Sequence, residues 1–366
     1  MVMVMVMVMV MVMVPGARVV RRTFKGGTLS ANTCVMAALL AVAGLSVGAA
    51  AQASPTRQAS PTRQASAATH DIYVANLHGS SVSVVDPTTD TVVATVPVGS
   101  YPVAVAITPD YSQAWVVNEE SNDVSVISTA TNTVTGTVPL PGLPDAIAFS
   151  PDGRVAYVAY IQSSGVGAVY VIDTSTDTVT TVVPVGDYAS SIAVTPDGSL
   201  VYVANLVSGS VSVIDAATDT VIKTISGSGM DTPTDIAITP DGTRAYVADF
   251  NSGNVFVIDT ATNTITAAIP TGPGPEGVSL SPDGSRAYVA NENANDAAVI
   301  DTATNTVTAT IPAGSEPVGI LAPTSGATAY VADAGNDVVG VIDTATNAMT
   351  GTIAVGDTPF AMAGTP

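Results

Sequence analysis

Residues 245–284 read AYVADFNSGNVFVIDTATNTITAAIPTGPGPEGVSLSPDG. Four short runs in this stretch, 245–249, 254–259, 264–270 and 276–281, are rich in β-branched and aromatic residues and bounded by Gly, Pro, Asn or Asp. The segments between them are turn chemistry. Gly284 tolerates positive φ, Pro282 presets φ, and Asp259 and Asn263 can bond their own backbone. No part of the stretch has a helical period. It reads as four strands joined by tight turns.

Working outward, the opening phrase recurs. It begins at Tyr73, Trp115, Tyr157, Tyr202, Tyr246, Tyr288 and Tyr330, with successive spacings of 42, 42, 45, 44, 42 and 42 residues. Four strands per unit of about 40–45 residues is the signature of a propeller blade. The predicted fold is therefore all-β, a seven-bladed propeller of four-stranded blades. The first unit starts at Ile72-Tyr73 without the Pro-led strand of the others, and the chain stops on that missing strand, Pro359 to Gly364. Pairing the two closes the ring and covers both open edges. The Pro-led strand is expected innermost. Its positions 104, 146, 191, 235, 277, 319 and 361 are small except for Asp235, while Val105, Ile147, Ile192, Ile236, Val278, Ile320 and Met362 alternate with them and fill the space between blades.

The succession Tyr-Val-Ala-Asn, Val-Ser-Val-Ile-Asp, Thr-x-Thr-Val and Pro-x-x-Ile-Ala-x-Thr-Pro-Asp-Gly resembles the YVTN-type β-propeller repeat over residues 71–366. That resemblance implies a seven-bladed, exported, surface-layer-like or extracellular protein. Relatives by fold include lactonases and subunits of redox enzymes. The chain departs from the pattern at Ser128, where Asp is usual, and at Pro323-Thr324-Ser325-Gly326, which replaces Pro-Asp-Gly.

Three segments follow from composition. Residues 1–53 read as an export signal behind a Met-Val repeat. Arg18, Arg21, Arg22 and Lys25 precede an apolar Ala-rich run, small residues near 49–53 offer a cleavage site, and Arg21-Arg22 resembles a twin-arginine signal. Residues 54–69 are a low-complexity tether that repeats Ala-Ser-Pro-Thr-Arg-Gln, and 70–366 form the propeller. Cys34, the only cysteine, falls in the signal, so the mature chain is expected without disulfides. It also carries no second apolar stretch long enough to span a membrane. The expected product is secreted or held at the cell surface, and monomeric.

The formal net charge is −20. Nucleic acid and anionic membrane need Lys/Arg footprints and are excluded as partners. Zinc or haem-iron chemistry finds no His or Cys cluster, since His70 and His78 are the only histidines. The candidate site is positional. Loops between blades share one face with those between the second and third strands, and they carry Asp145, Asp187, Asp231, Asp235, Glu276, Glu316 and Asp357 without Lys or Arg. One mouth of the ring is therefore expected to be negative. Such oxygen-rich loops suit Ca2+, a basic peptide or sugar hydroxyls. The plainer alternative is that the acids are solvated and that Asn76, Asn118 and their equivalents cap turns. Asp235, at a small-residue position beside the axis, and Asp231 are the residues expected to hold a metal. No cofactor is required. The function these features favour is a non-catalytic binding or interaction module for an extracellular protein, glycan or cationic ligand. The alternative is a lactonase-like hydrolase on the same scaffold.

Overall fold

The computed structural model describes residues 71–162, 165–322 and 327–365. The predicted export signal with Cys34, the tether, His70 and the departure at 323–326 lie outside the described residues. Seven antiparallel sheets of four strands are present, and every regular element among the described residues is a strand. Blade 1 is assembled from both ends of the chain. Its inner strand is Pro359–Gly364, followed outward by Ile72–Asn76, Ser81–Asp86 and Thr91–Pro97. The register of closure is Ile72 with Gly364, Tyr73 with Ala363 and Ala75 with Ala361. Blades 2 to 7 are continuous in sequence, with inner strands Pro102–Ile107, Leu143–Phe149, Ala189–Val194, Pro233–Ile238, Pro275–Leu280 and Pro317–Leu321.

The core lies between blades, where apolar faces of adjacent sheets meet. Tyr246, Ala248, Val255 and Val257 of blade 5 pack with Val278, Ala287, Val289 and Ile300 of blade 6. Inner strands approach so closely that a Cβ on Gly277 would stand 2.4 Å from the Val318 carbonyl oxygen, and one on Gly319 as close to that of Phe360. Glycine at these two positions is therefore a steric requirement.

The recurrent Tyr pins one blade to the next on the face that carries the Pro-Asp-Gly turns, hereafter the turn face. Tyr73, Tyr202 and Tyr246 donate to the side-chain oxygens of Asn132, Asn263 and Asn305 in the following blade, at 2.7, 2.5 and 2.9 Å. Each Asn holds a φ of 52–53°, a conformation Asn tolerates better than most residues. Burial, with Asp259 and Asp197 nearby, pushes the Tyr202 hydroxyl up to about 12, so it remains a donor. Tyr330 makes the equivalent bond to Asp90 and carries the pinning across the seam of the ring. Trp115 breaks the series. Its indole N–H donates to Gln113 in its own blade at 3.0 Å. Asp177, which follows in blade 3, has its carboxyl pushed up by burial and by Asp173.

Each outer strand carries a β-bulge. In five blades the bulged residue is Thr, whose hydroxyl donates to a carbonyl of the third strand, as Thr180 does to Val171 at 3.0 Å. Bulges twist an exposed edge away from further pairing. Blades 1 and 4 have Val93 and Ile222 at that position instead.

Candidate functional site: the acidic mouth

The opposite face, the mouth, is built from the connections between blades and the loops between second and third strands. Backbone bonds tie the two together around the ring: Leu77 N to Thr358 O, Glu119 N to Tyr101 O, Leu206 N to Tyr188 O, Phe250 N to Thr232 O and Ala334 N to Glu316 O, at 2.8–3.1 Å. The expectation that these loops share one face is met.

The Asn/Asp residues that open the second-to-third-strand loops are scaffold. Asn76 and Asn205 accept the N–H of Gly356 and Gly186, both at 3.1 Å. Asp249 accepts from the backbone of Asp231 and Thr232 at 2.8 and 2.9 Å, and Asp333 from Ser315 at 3.0 Å. All four are buried. Blade 3 has Tyr160 in this place. Its ring stacks on Tyr170 with centroids 3.8 Å apart, and the Tyr170 hydroxyl donates to the Pro141 carbonyl at 2.5 Å. An aromatic pair thus stands where the other blades use an amide or carboxylate.

The seven predicted acids separate by depth. Asp187, Asp231 and Asp357 are exposed loop residues, and Glu316 is half-buried. Asp145, Asp235 and Glu276 belong to inner strands, as the small-residue position of Asp235 and the run 276–281 implied; for Asp145 this corrects the expected placement in a loop. Asp145 and Glu276 occupy a bulge just after the leading Pro, a place held by Ala189 in blade 4; every inner strand repeats the bulge, at Val103, Asp145, Ser190, Thr234, Glu276, Val318 and Phe360. The connection residue before that place is often left-handed. Tyr101, Tyr188, Glu316 and Thr358 have φ of 58–62°. Bulged and left-handed positions re-aim side chains, and here the residue types differ from blade to blade. The sequence reading missed both sets, although variation at fixed places in a regular repeat was their signal.

Asp235 is a clasp between inner strands. One carboxylate oxygen accepts from the Ser191 hydroxyl of blade 4 and from its neighbour's backbone N–H at Ile236, both at 2.8 Å. The other accepts from Val278 N–H of blade 6 at 2.8 Å. Burial raises its pKa, and the bonds from Val278, Ser191 and Ile236 oppose that rise. Protein donors thus engage both oxygens that were expected to take a cation. Among the described residues no group of three or more His, Cys, Asp or Glu side chains is placed to hold a metal ion.

His78 is exposed in the blade 1 loop. Its Nδ1 lies 2.8 Å from the Thr358 hydroxyl, which is 3.0 Å from the Asp357 carboxylate, and its ring meets Tyr101 edge-on at 5.5 Å. Four cations are described. Arg154, Arg244 and Arg286 sit at the turn face, and Lys223 lies on the outer strand of blade 4. Arg244 and Arg286 are spent on carbonyls of the next blade, Thr302 and Thr344, each at 2.5 Å. The described mouth therefore holds acids and one histidine, and no Lys or Arg. Turn-face carboxylates differ in kind. A cleft of about 640 Å3 between blades 4 and 5 includes Asp197, Asp241 and Asp259. These staple their own turns; bonds from Thr239 and Thr243 lower Asp241 to about 2.

Comparison with known proteins agrees with this architecture. The family described as lactonase, 7-bladed beta-propeller, matches residues 88–268 and 147–343, together well over half of the chain. No curated protein matches it. Among solved structures, the hydrazine synthase of Kuenenia stuttgartiensis superposes with a TM-score of 0.65 at 23% identity, covering 71% of this chain and 88% of that one. A functionally unknown protein from Desulfotomaculum acetoxidans DSM 771 superposes with a TM-score of 0.71 at 18% identity, covering 81% and 98%. At these identities the structures share the fold. The chain belongs to the lactonase seven-bladed β-propeller family.

Proposed function

We propose that this family member is a binding module whose acidic mouth takes a cationic ligand, without catalysis, and that it acts outside the cell, exported on residues 1–53. The observation that carries the reading is the sorting of charge. Described mouth loops bear Glu119, Glu120, Asp187, Asp231, Asp337 and Asp357, while the four described cations lie elsewhere. A surface of one sign raises the local concentration of oppositely charged ligands and repels like-charged ones. The test is binding of labelled oligolysine and oligoglutamate, followed by fluorescence anisotropy. Oligolysine binds, weakens as ionic strength rises past about 0.15 M, and loses several-fold affinity to the variant Glu120→Gln/Asp187→Asn/Asp357→Asn. An unbound oligolysine, or a variant that binds it equally well, overturns the reading. N-terminal sequencing of protein from the culture medium tests export; a retained Met1 rejects it.

A hydrolytic reading has two supports, the family match and the contact of His78 with Thr358. It predicts turnover of a neutral lactone in a pH-stat, lost in His78→Ala. Turnover that depends on His78 would replace the binding reading.

A further inference from the structure

The mouth has two unlike halves. Blades 6, 7, 1 and 2 present Glu292, Glu316, Asp337, Asp357, Glu119 and Glu120. Over blades 3 and 4 the loops between second and third strands contain no described acid, and apolar side chains are exposed there beside Ser208. Leu143 is 40% exposed, Val166 39% and Val207 63%, the last being the most exposed large apolar residue described. Hydrogen bonds link the segments that carry the three in series. Leu143 pairs with Ile161, and Ile161 pairs with Gly167, next to Val166. Tyr188 N then bonds Gly165 O, and Val207 N bonds the carbonyl of Asp187, both at 3.2 Å. Elsewhere among the described residues the exposed large apolar side chains sit on outer strands, as Val93, Val182 and Ile222 do, or on the turn face, as Tyr111 does, so these three are the ones the mouth presents, and apolar side chains on an otherwise polar face mark an interaction surface.

We infer that this apolar sector over blades 3 and 4 seats the hydrophobic side chains of a basic, amphipathic peptide segment. Asp187 beside it and the acids of neighbouring blade 2 receive the basic residues. Charge selects the occupant. Exposed Asp187 adjoins the cluster and Glu119 and Glu120 stand one blade away, with no described cation on the mouth, so an acidic partner or a second copy of this chain meets repulsion. The inference rests on the proposed cation-binding mouth and adds an apolar anchor to it. Side chains of that kind, buried on docking, supply affinity, while the surrounding charges supply orientation and rate.

The experiment compares three peptides of equal length, alternating Lys-Val, Lys-Gly and Glu-Val, on the native chain and on Leu143→Ser/Val207→Ser. Both substituted residues are exposed, and an unchanged melting temperature verifies that the variant folds. On the native chain Lys-Val binds about tenfold more tightly than Lys-Gly, as burial of a few methyl groups implies. The variant brings Lys-Val down to the Lys-Gly level and leaves Lys-Gly unchanged. Equal affinities on the native chain, or equal losses of both in the variant, overturn the anchor while the acidic mouth stands. If neither lysine peptide binds, both readings fall. If Glu-Val binds as well as Lys-Val, the basic occupant is wrong.

Discussion

The two faces of this ring solve different problems with the same repeat. On the turn face, the blades draw on a narrow set of residue types at the same places. Tyr pins Asn from blades 1, 4 and 5 and Asp90 from blade 7, and Asp241 and its equivalents staple the Pro-Asp-Gly turns. On the mouth, the positions on either side of the residue that leads the inner strand change freely. They are Tyr101 and Val103 in blade 2, Tyr188 and Ser190 in blade 4, Glu316 and Val318 in blade 7. Within one chain, what the repeats share builds the ring, and where they differ is where selectivity can reside. Asp235 complicates that division, because a deviant residue at the axis is engaged by three protein donors.

Four measurements test the contrast, in descending order of expected effect. Tyr246→Ala removes a fully buried ring and its bond to Asn305, and is expected to cost about 3–5 kcal/mol in denaturant unfolding. Asp235→Ala is expected to cost about 1 kcal/mol at neutral pH, where lost bonds are partly offset by relief of burial. Because the folded pKa is raised, the wild-type advantage grows as pH falls through that value and shrinks as pH rises through it. A flat difference between the two proteins across acid pH would sink the clasp. The turn-face staples have the opposite sign. Asp241 and Asp283 are lowered to about 2, so their stabilisation is present above the ordinary carboxylate range and is lost as pH falls from about 4 to about 2. Asp241→Asn/Asp283→Asn should flatten acid unfolding in that window. The change is small, because both groups are solvated. Val207→Ser should leave stability within about 0.5 kcal/mol and alter only peptide binding. A mouth substitution that destabilised like Tyr246→Ala would erase the distinction between the faces.

The ring itself was legible because its period is long and its turn chemistry uniform. The Tyr spacing, the Pro-Asp-Gly turns and the displaced last strand each have a single structural solution, and the register of Ile72 with Gly364 bears this out. The face carrying the acids could also be read, since loop order alone assigns it. Depth could not. Asp145 looks like a loop residue because it follows Pro, yet the bulge draws it into the inner strand. The donors that engage Asp235 come from blades 4 and 6, about 43 residues away on either side, a relation that no local pattern encodes. Leu143 opens the inner strand of blade 3, Val166 lies in a loop of the same blade and Val207 in a loop of blade 4, so only the sheet pairing and the setting of the two blades side by side bring them onto one sector.

Blade 1 is shared between the two ends of the described chain, and the direction of its strands has a practical meaning. Ile72–Asn76 runs from the turn face to the mouth, and Pro359–Gly364 runs back. Asp71 and Thr365 therefore meet on the turn face, where Thr365 N bonds the Asp71 carbonyl at 3.0 Å. Coupling the propeller to a sensor surface at position 71 or 365 would hold every molecule in one orientation, with the turn face down and the mouth presented to solution.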